Sequence, residues 1–69
     1  MIVLIMIDAR KSDIIEKNGN IYVLYWKTAL DGKRWCRVKV YTHNGNYKRD
    51  YKYYFKTKKA AKTHILLCA

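Results

Sequence analysis

The chain has 69 residues, no proline, and fifteen Lys and Arg against five Asp and Glu, for a formal net charge of +10. That length holds one domain with a small core, because a chain of this size hides only about 60% of the surface its unfolded form exposes. Two cysteines allow at most one disulfide, no apolar run approaches the roughly 20 residues that cross a bilayer, and the charge excess calls for an anionic partner: nucleic acid, a membrane surface or an acidic protein.

The chain opens on an apolar run, Met1 to Ile7, that lacks a basic leader and a small-residue cleavage site and runs straight into Asp8-Ala9-Arg10-Lys11. It does not read as a secretory signal, so the expected setting is the reducing cytoplasm, with free thiols. Residues 2–7 are short enough to predict a buried strand rather than a helix. The polar stretch that follows ends in Asn18-Gly19-Asn20, a turn signal, and residues 12–17 are expected to form one helical turn.

Residues 21–28, 34–42 and 47–56 are rich in β-branched and aromatic side chains and predict three strands. The gaps between them contain Asp31-Gly32 and Asn44-Gly45, dipeptides suited to two-residue type I′ hairpin turns. The period then changes. Thr57 is a candidate N-cap, alanines fill the first turns, and Ala61, His64, Ile65 and Cys68 fall at helical spacing. The expected fold is α+β: a three-stranded antiparallel meander (21–56) packed on a C-terminal helix (57–68), with an additional N-terminal edge strand, residues 2–7, and a loop completing 1–20.

Two-residue turns fix a register. They set Trp26 against Arg37, Leu24 against Lys39, Tyr25 against Val38, Val38 against Tyr51, Arg37 against Lys52 and Trp35 against Tyr54. With side chains alternating at period two, one face would carry Ile21, Val23, Tyr25, Cys36, Val38, Val40, Tyr51, Tyr53 and Phe55 and lie under the helix. The other would carry Tyr22, Leu24, Trp26, Trp35, Arg37, Lys39, Tyr41, Lys48, Lys52 and Tyr54, leaving aromatic side chains beside cations on an open face. Cross-strand aromatic and cation–aromatic pairs also stabilise sheets that bind nothing. Lys56, Lys58, Lys59 and Lys62 form a second basic cluster at the helix start, suited either to phosphate contact or to a solvated helix face.

Asp31-Gly32-Lys33-Arg34 in a turn, then a strand, then Phe55-Lys56-Thr57-Lys58-Lys59-Ala60-Ala61 opening a helix resembles the arm-type N-terminal DNA-binding domain of phage and conjugative-transposon integrases. The resemblance covers roughly residues 20–67. It implies a three-stranded sheet backed by a helix, with the open sheet face entering the DNA major groove. Carried over by position, Phe55, Ala61 and Ile65 would pack the core, and Trp26, Arg37, Lys39 and Lys52 would face DNA. Such domains usually precede a recombinase catalytic domain. A chain ending at Ala69 is instead expected to be a stand-alone phage or mobile-element protein that reuses the fold.

Other chemistry finds no support. Cys36, His43, His64 and Cys68 lack zinc-ligand spacing, so core thiols and a packed His64 are expected, and no cofactor. No nucleophile elbow or phosphate-cradling glycine loop is present, so no enzyme is expected. The expected function is nucleic-acid binding, with double-stranded DNA first. The nucleic-acid contacts would come from Trp26, Trp35, Arg37, Lys39, Tyr41, Lys48, Lys52, Tyr54, Lys56, Lys58 and Lys59. RNA or single-strand binding is the second reading. The third is a phage-type inhibitor docking on an acidic host protein or nucleoprotein enzyme. No membrane partner is expected, and the chain is read as a monomer or an edge-strand dimer.

Overall fold

The computed structural model describes residues 10–68. A 3-10 turn, Lys11–Asp13, leads into strands β1 (Ile14–Lys17), β2 (Asn20–Thr28), β3 (Arg34–Thr42) and β4 (Tyr47–Asp50), followed by helix α1 (Lys58–Cys68). The strands form one antiparallel sheet in the order β1-β2-β3-β4. The fold is thus α+β, an antiparallel meander with a C-terminal helix. The strand expected at residues 2–7 lies outside the described residues. The edge strand seen beside β2 is β1, formed largely by the stretch expected to be a helical turn. That correction has a local cause. Asn18 and Gly19 both take positive φ (53° and 79°), the requirement of a type I′ turn, and they fold Lys17 back onto Asn20.

The two other turns differ from the expected type. Asp31 and Asn44 do not adopt positive φ; Gly32 (85°) and Gly45 (87°) do. Gly32 N–H donates to Ala29 O (3.0 Å) and Ala29 N–H to Lys33 O (2.8 Å); Gly45 N–H donates to Thr42 O (2.9 Å) and Thr42 N–H to Asn46 O (2.8 Å). Each loop therefore has three residues: a type I turn followed by a left-handed glycine, the next most common hairpin after the two-residue forms. The Asp31 carboxylate supports its turn by accepting from Lys33 N–H at 3.0 Å.

One extra loop residue changes which residues face each other. In the β2–β3 pair Trp26 lies opposite Cys36, Tyr25 opposite Arg37 and Leu24 opposite Val38, so the expected pairs of Trp26 with Arg37, Leu24 with Lys39 and Tyr25 with Val38 are each displaced by one. Because side chains alternate, that slip turns all of β2 over. In the β3–β4 pair the same error is cancelled. A bulge between Val40 and Tyr41 restores the count, giving Val40 opposite Arg49 and Lys39 opposite Asp50. Tyr51 N–H then donates to Val38 O at 2.8 Å, as the expected register requires. The third strand is shorter than the expected 47–56. The chain leaves the ladder after Tyr51 and touches it again only where Phe55 pairs with Cys36 through bonds of 2.6 and 2.8 Å.

The core lies between the sheet and α1. Tyr22, Leu24, Cys36, Val38, Val40, Ala61 and Ile65 are buried there, with Ile15, Tyr51 and Phe55 packed around them. Ala61 and Ile65 fall one turn apart on one helix face; Ala61 adds little bulk, which lets the helix approach the sheet. Full burial of a side chain such as Leu24 or Ile65 contributes about 1.5–3 kcal/mol each. Cys68, expected to face the core, is exposed at the helix end; Cys36 is buried, and both thiols are free.

Both helix ends are anchored. Thr57 is the N-cap, its Oγ1 accepting from Ala60 N–H at 3.1 Å. At the other end Lys17 Nζ donates to Ile65 O (3.1 Å) and Leu66 O (2.6 Å), satisfying carbonyls that have no partner within the helix. Lys58 Nζ forms an ion pair with Asp13 Oδ1 at 2.7 Å, tying the helix start to the turn before β1. Among the described residues no helix is long and apolar enough to cross a membrane.

Candidate nucleic-acid interface

The sheet face turned away from the helix is read from the register. Across β2 and β3 it runs Ile21–Tyr41, Val23–Lys39, Tyr25–Arg37 and Lys27–Trp35. β1 adds Glu16 beside Ile21 and Ile14 beside Val23, and β4 adds Tyr47 beside Tyr41 and Asp50 beside Lys39. The face has two halves. At one end Ile21 and Val23 are buried and pack with Ile14 and Tyr41. At the other, aromatic and basic side chains stand together.

The contacts in that second half are specific. Trp35 and Tyr54 meet edge to face, ring centroids 5.3 Å apart at 84°. The Arg37 guanidinium carbon lies 5.7 Å from the Tyr54 ring centre, and Lys39 Nζ lies 5.1 Å from that of Tyr25. A hollow of about 230 Å³ is lined by Lys27, Ala29, Trp35, Arg37 and Tyr54. Asp50 stands opposite Lys39, and it accepts the Tyr47 hydroxyl hydrogen bond at 2.9 Å. That bond to a carboxylate holds the Tyr47 phenol above its ordinary value.

The structure gathers some of the expected site residues and disperses the rest. Trp35, Arg37, Lys39, Tyr41 and Tyr54 share the far face, with Tyr41 at its apolar end. Trp26 does not join them: the flipped β2 places it on the helix side of the sheet, where the Arg34 guanidinium carbon sits 5.0 Å from its ring centre. Lys52 lines a hollow on the helix side with Tyr22, Arg49, Tyr51, Tyr53, His64 and Cys68, because the chain has left the ladder where it was expected to meet Arg37. Lys48 Nζ donates to Asn20 Oδ1 at 3.3 Å, at the opposite end of the sheet from Trp35. Lys58 is held by Asp13, whereas Lys56 and Lys59 are exposed around the helix start.

Tyr25, Lys27 and Tyr47 belong to the far face and were missed. Tyr25 was assigned to the core by the two-residue turn; a three-residue reading of Leu30-Asp31-Gly32 would have found it. His64 packs among Tyr51, Tyr53 and Phe55 with centroids 5.0–5.6 Å away, and its Nδ1 shares a 2.8 Å hydrogen bond with the Tyr51 hydroxyl. Burial raises the Tyr51 phenol above its ordinary value and pushes the Cys36 thiol up. Among the described residues no three His, Cys, Asp or Glu side chains gather as metal ligands.

Beyond Cys36, where Phe55 makes its last bonds to β3, the β2–β3 hairpin continues as a two-stranded ribbon. Its two faces carry Lys27 and Trp35 on one side and Arg34 on the other, with Lys33 beside the turn. Leu30 at the tip is fully exposed. Comparison of the chain with protein-family models, with curated proteins and with solved structures found no match.

Proposed function

We propose that this chain is a non-catalytic nucleic-acid-binding module that acts through the aromatic and basic half of its far sheet face and the β2–β3 ribbon beside it. The observation that carries the reading is the cluster of Lys27, Trp35, Arg37, Lys39 and Tyr54, beside which the Asp50 carboxylate is already engaged by Tyr47. Phosphates are drawn by cations, and bases or sugars by aromatic surfaces; here both stand within one sheet width. A two-stranded ribbon is also an element the major groove admits. The resemblance to arm-type integrase domains, with a helix that opens at Thr57 behind the sheet, supports DNA as the partner.

The test is equilibrium binding to oligonucleotides over a salt series. Lys27, Lys33, Arg34, Arg37 and Lys39 together give about five phosphate contacts, hence a slope of log K against log salt near −4 to −5 on duplex DNA. The double variant Arg37→Glu/Lys39→Glu should lose at least tenfold in affinity and flatten that slope by about two, with an unchanged circular dichroism spectrum. Lys52→Glu, on the other side of the sheet, should change affinity by much less. Equal losses from the two variants, or a slope near zero in the wild type, would overturn the reading.

A further inference from the structure

Resting on that reading, we infer that the corner formed by Trp35, Tyr54 and Arg37 is a seat for a single unpaired nucleobase, so that the preferred ligand is a strand with an accessible base rather than a closed duplex. The size of the hollow sets the first limit. Pockets for drug-sized ligands span about 300–1,000 Å³, and this open-sided hollow offers about 230 Å³. That is room for one ring system against its walls.

The walls set the second. Trp35 and Tyr54 stand at 84°, so the two rings form a corner: a flat guest laid on one ring meets the other at its edge. Ala29 lines the hollow with only a methyl group. An aromatic ring is the guest with a matching flat surface, and every base has one.

Charge decides which aromatic guest. Tryptophan and tyrosine also build cages for quaternary ammonium groups. Here the remaining charged lining residues are Lys27 and Arg37, both cationic, and among the described residues no carboxylate lines the hollow. A cationic guest would be repelled. A ring joined to phosphate is favoured, because its phosphodiester reaches the two cations while its ring fills the corner. Lys39, one step further along β3 and 5.1 Å from the Tyr25 ring centre, continues the track for the next phosphate. A base inside a closed duplex shows its flat surface only to its stacked neighbours, so a duplex cannot fill the seat without extruding a nucleotide.

Trp35 reports on the seat directly. In a Trp26→Phe background it is the single tryptophan, and its fluorescence is followed during titration with a thymine homo-oligonucleotide, its uracil RNA counterpart, an abasic oligodeoxynucleotide of equal length, and a duplex. Expected are quenching by both base-bearing strands, an affinity about tenfold above that for the abasic strand, and weaker binding of the duplex. The salt slopes of the thymine and abasic strands should agree. The affinity ranking is repeated with the unmodified chain by fluorescence anisotropy, so the result does not depend on the folding of the Trp26→Phe variant. Equal affinity for abasic and base-bearing strands, with steep salt dependence retained, overturns the seat while leaving nucleic-acid binding in place. Tighter binding of duplex, with or without quenching, also overturns it. No binding to any of the four ligands removes both readings.

Discussion

Replacing Lys17 by methionine should destabilise the fold, although it lowers the self-repulsion of a chain with net charge +10. The ammonium of Lys17 reaches from the β1–β2 hairpin to the end of α1, donating to Ile65 O at 3.1 Å and Leu66 O at 2.6 Å. Hydrogen bonds from a charged group contribute about 1.5–3 kcal/mol when well shielded. The bond to Leu66 is exposed and must be discounted heavily for solvent screening. A cation at a helix C-terminus adds a few tenths of a kcal/mol through the macrodipole. A net loss of about 1–2 kcal/mol is expected.

In a domain this small 1 kcal/mol moves the midpoint by about 4–8 °C, so Lys17→Met should melt roughly 4–16 °C below the wild type, followed by circular dichroism at 222 nm. Lys33→Met is the control. It removes the same charge from the exposed hairpin turn and should leave the midpoint unchanged or slightly raised, because only repulsion is relieved. If both variants shift equally, or if Lys17→Met melts within about 2 °C of the wild type, the lysine does not cap the helix.

Four further outcomes follow from the packing. Thr57→Ala removes the acceptor for Ala60 N–H and should cost about 1 kcal/mol, whereas Thr57→Ser should retain most of it; thermal melts of the pair separate capping from a methyl contact. Ile65→Ala should cost about 2–5 kcal/mol, a large share of the roughly 3–10 kcal/mol available to a domain of this length, and urea denaturation should find it marginal or unfolded. Titration with an aromatic disulfide reagent near neutral pH should find Cys68 reactive and Cys36 protected until denaturant is added. Burial holds Cys36 above its ordinary value of 9.0, so the stability tied to its neutral thiol is complete below that pH and is lost as pH rises through the raised value. A Cys36→Ala variant should show a smaller decline in stability across that alkaline range.

Much of the fold was legible from residue order. The helix from Thr57 and the packing of Ala61 and Ile65 follow from a change of period and a capping residue, both local properties. The location of the turns was marked by Gly32 and Gly45. The site was legible on β3: Trp35, Arg37 and Lys39 alternate with Cys36, Val38 and Val40, and only one of those two sets can form a core. β2 carries no such contrast. Ile21, Tyr22, Val23, Leu24, Tyr25 and Trp26 are all apolar or aromatic, so either set can be buried and alternation selects neither face.

Residue order alone therefore fixes β2, β3, the start of β4 and the helix, in that order, and the orientation of β3; it did not reveal β1. The orientation of β2, and with it the composition of the candidate site, is set by packing against the helix. Asp-Gly serves equally as the central pair of a two-residue turn and as the last two positions of a three-residue one. The choice is made where Tyr22 and Leu24, rather than Val23 and Tyr25, close over Val38, Val40 and Ile65. Burial against a helix more than thirty residues away settles it, and no window of local sequence contains that contact. The one-residue slip puts Tyr25 and Lys27 beside Arg37 and Trp35 and sends Trp26 to the other side of the sheet.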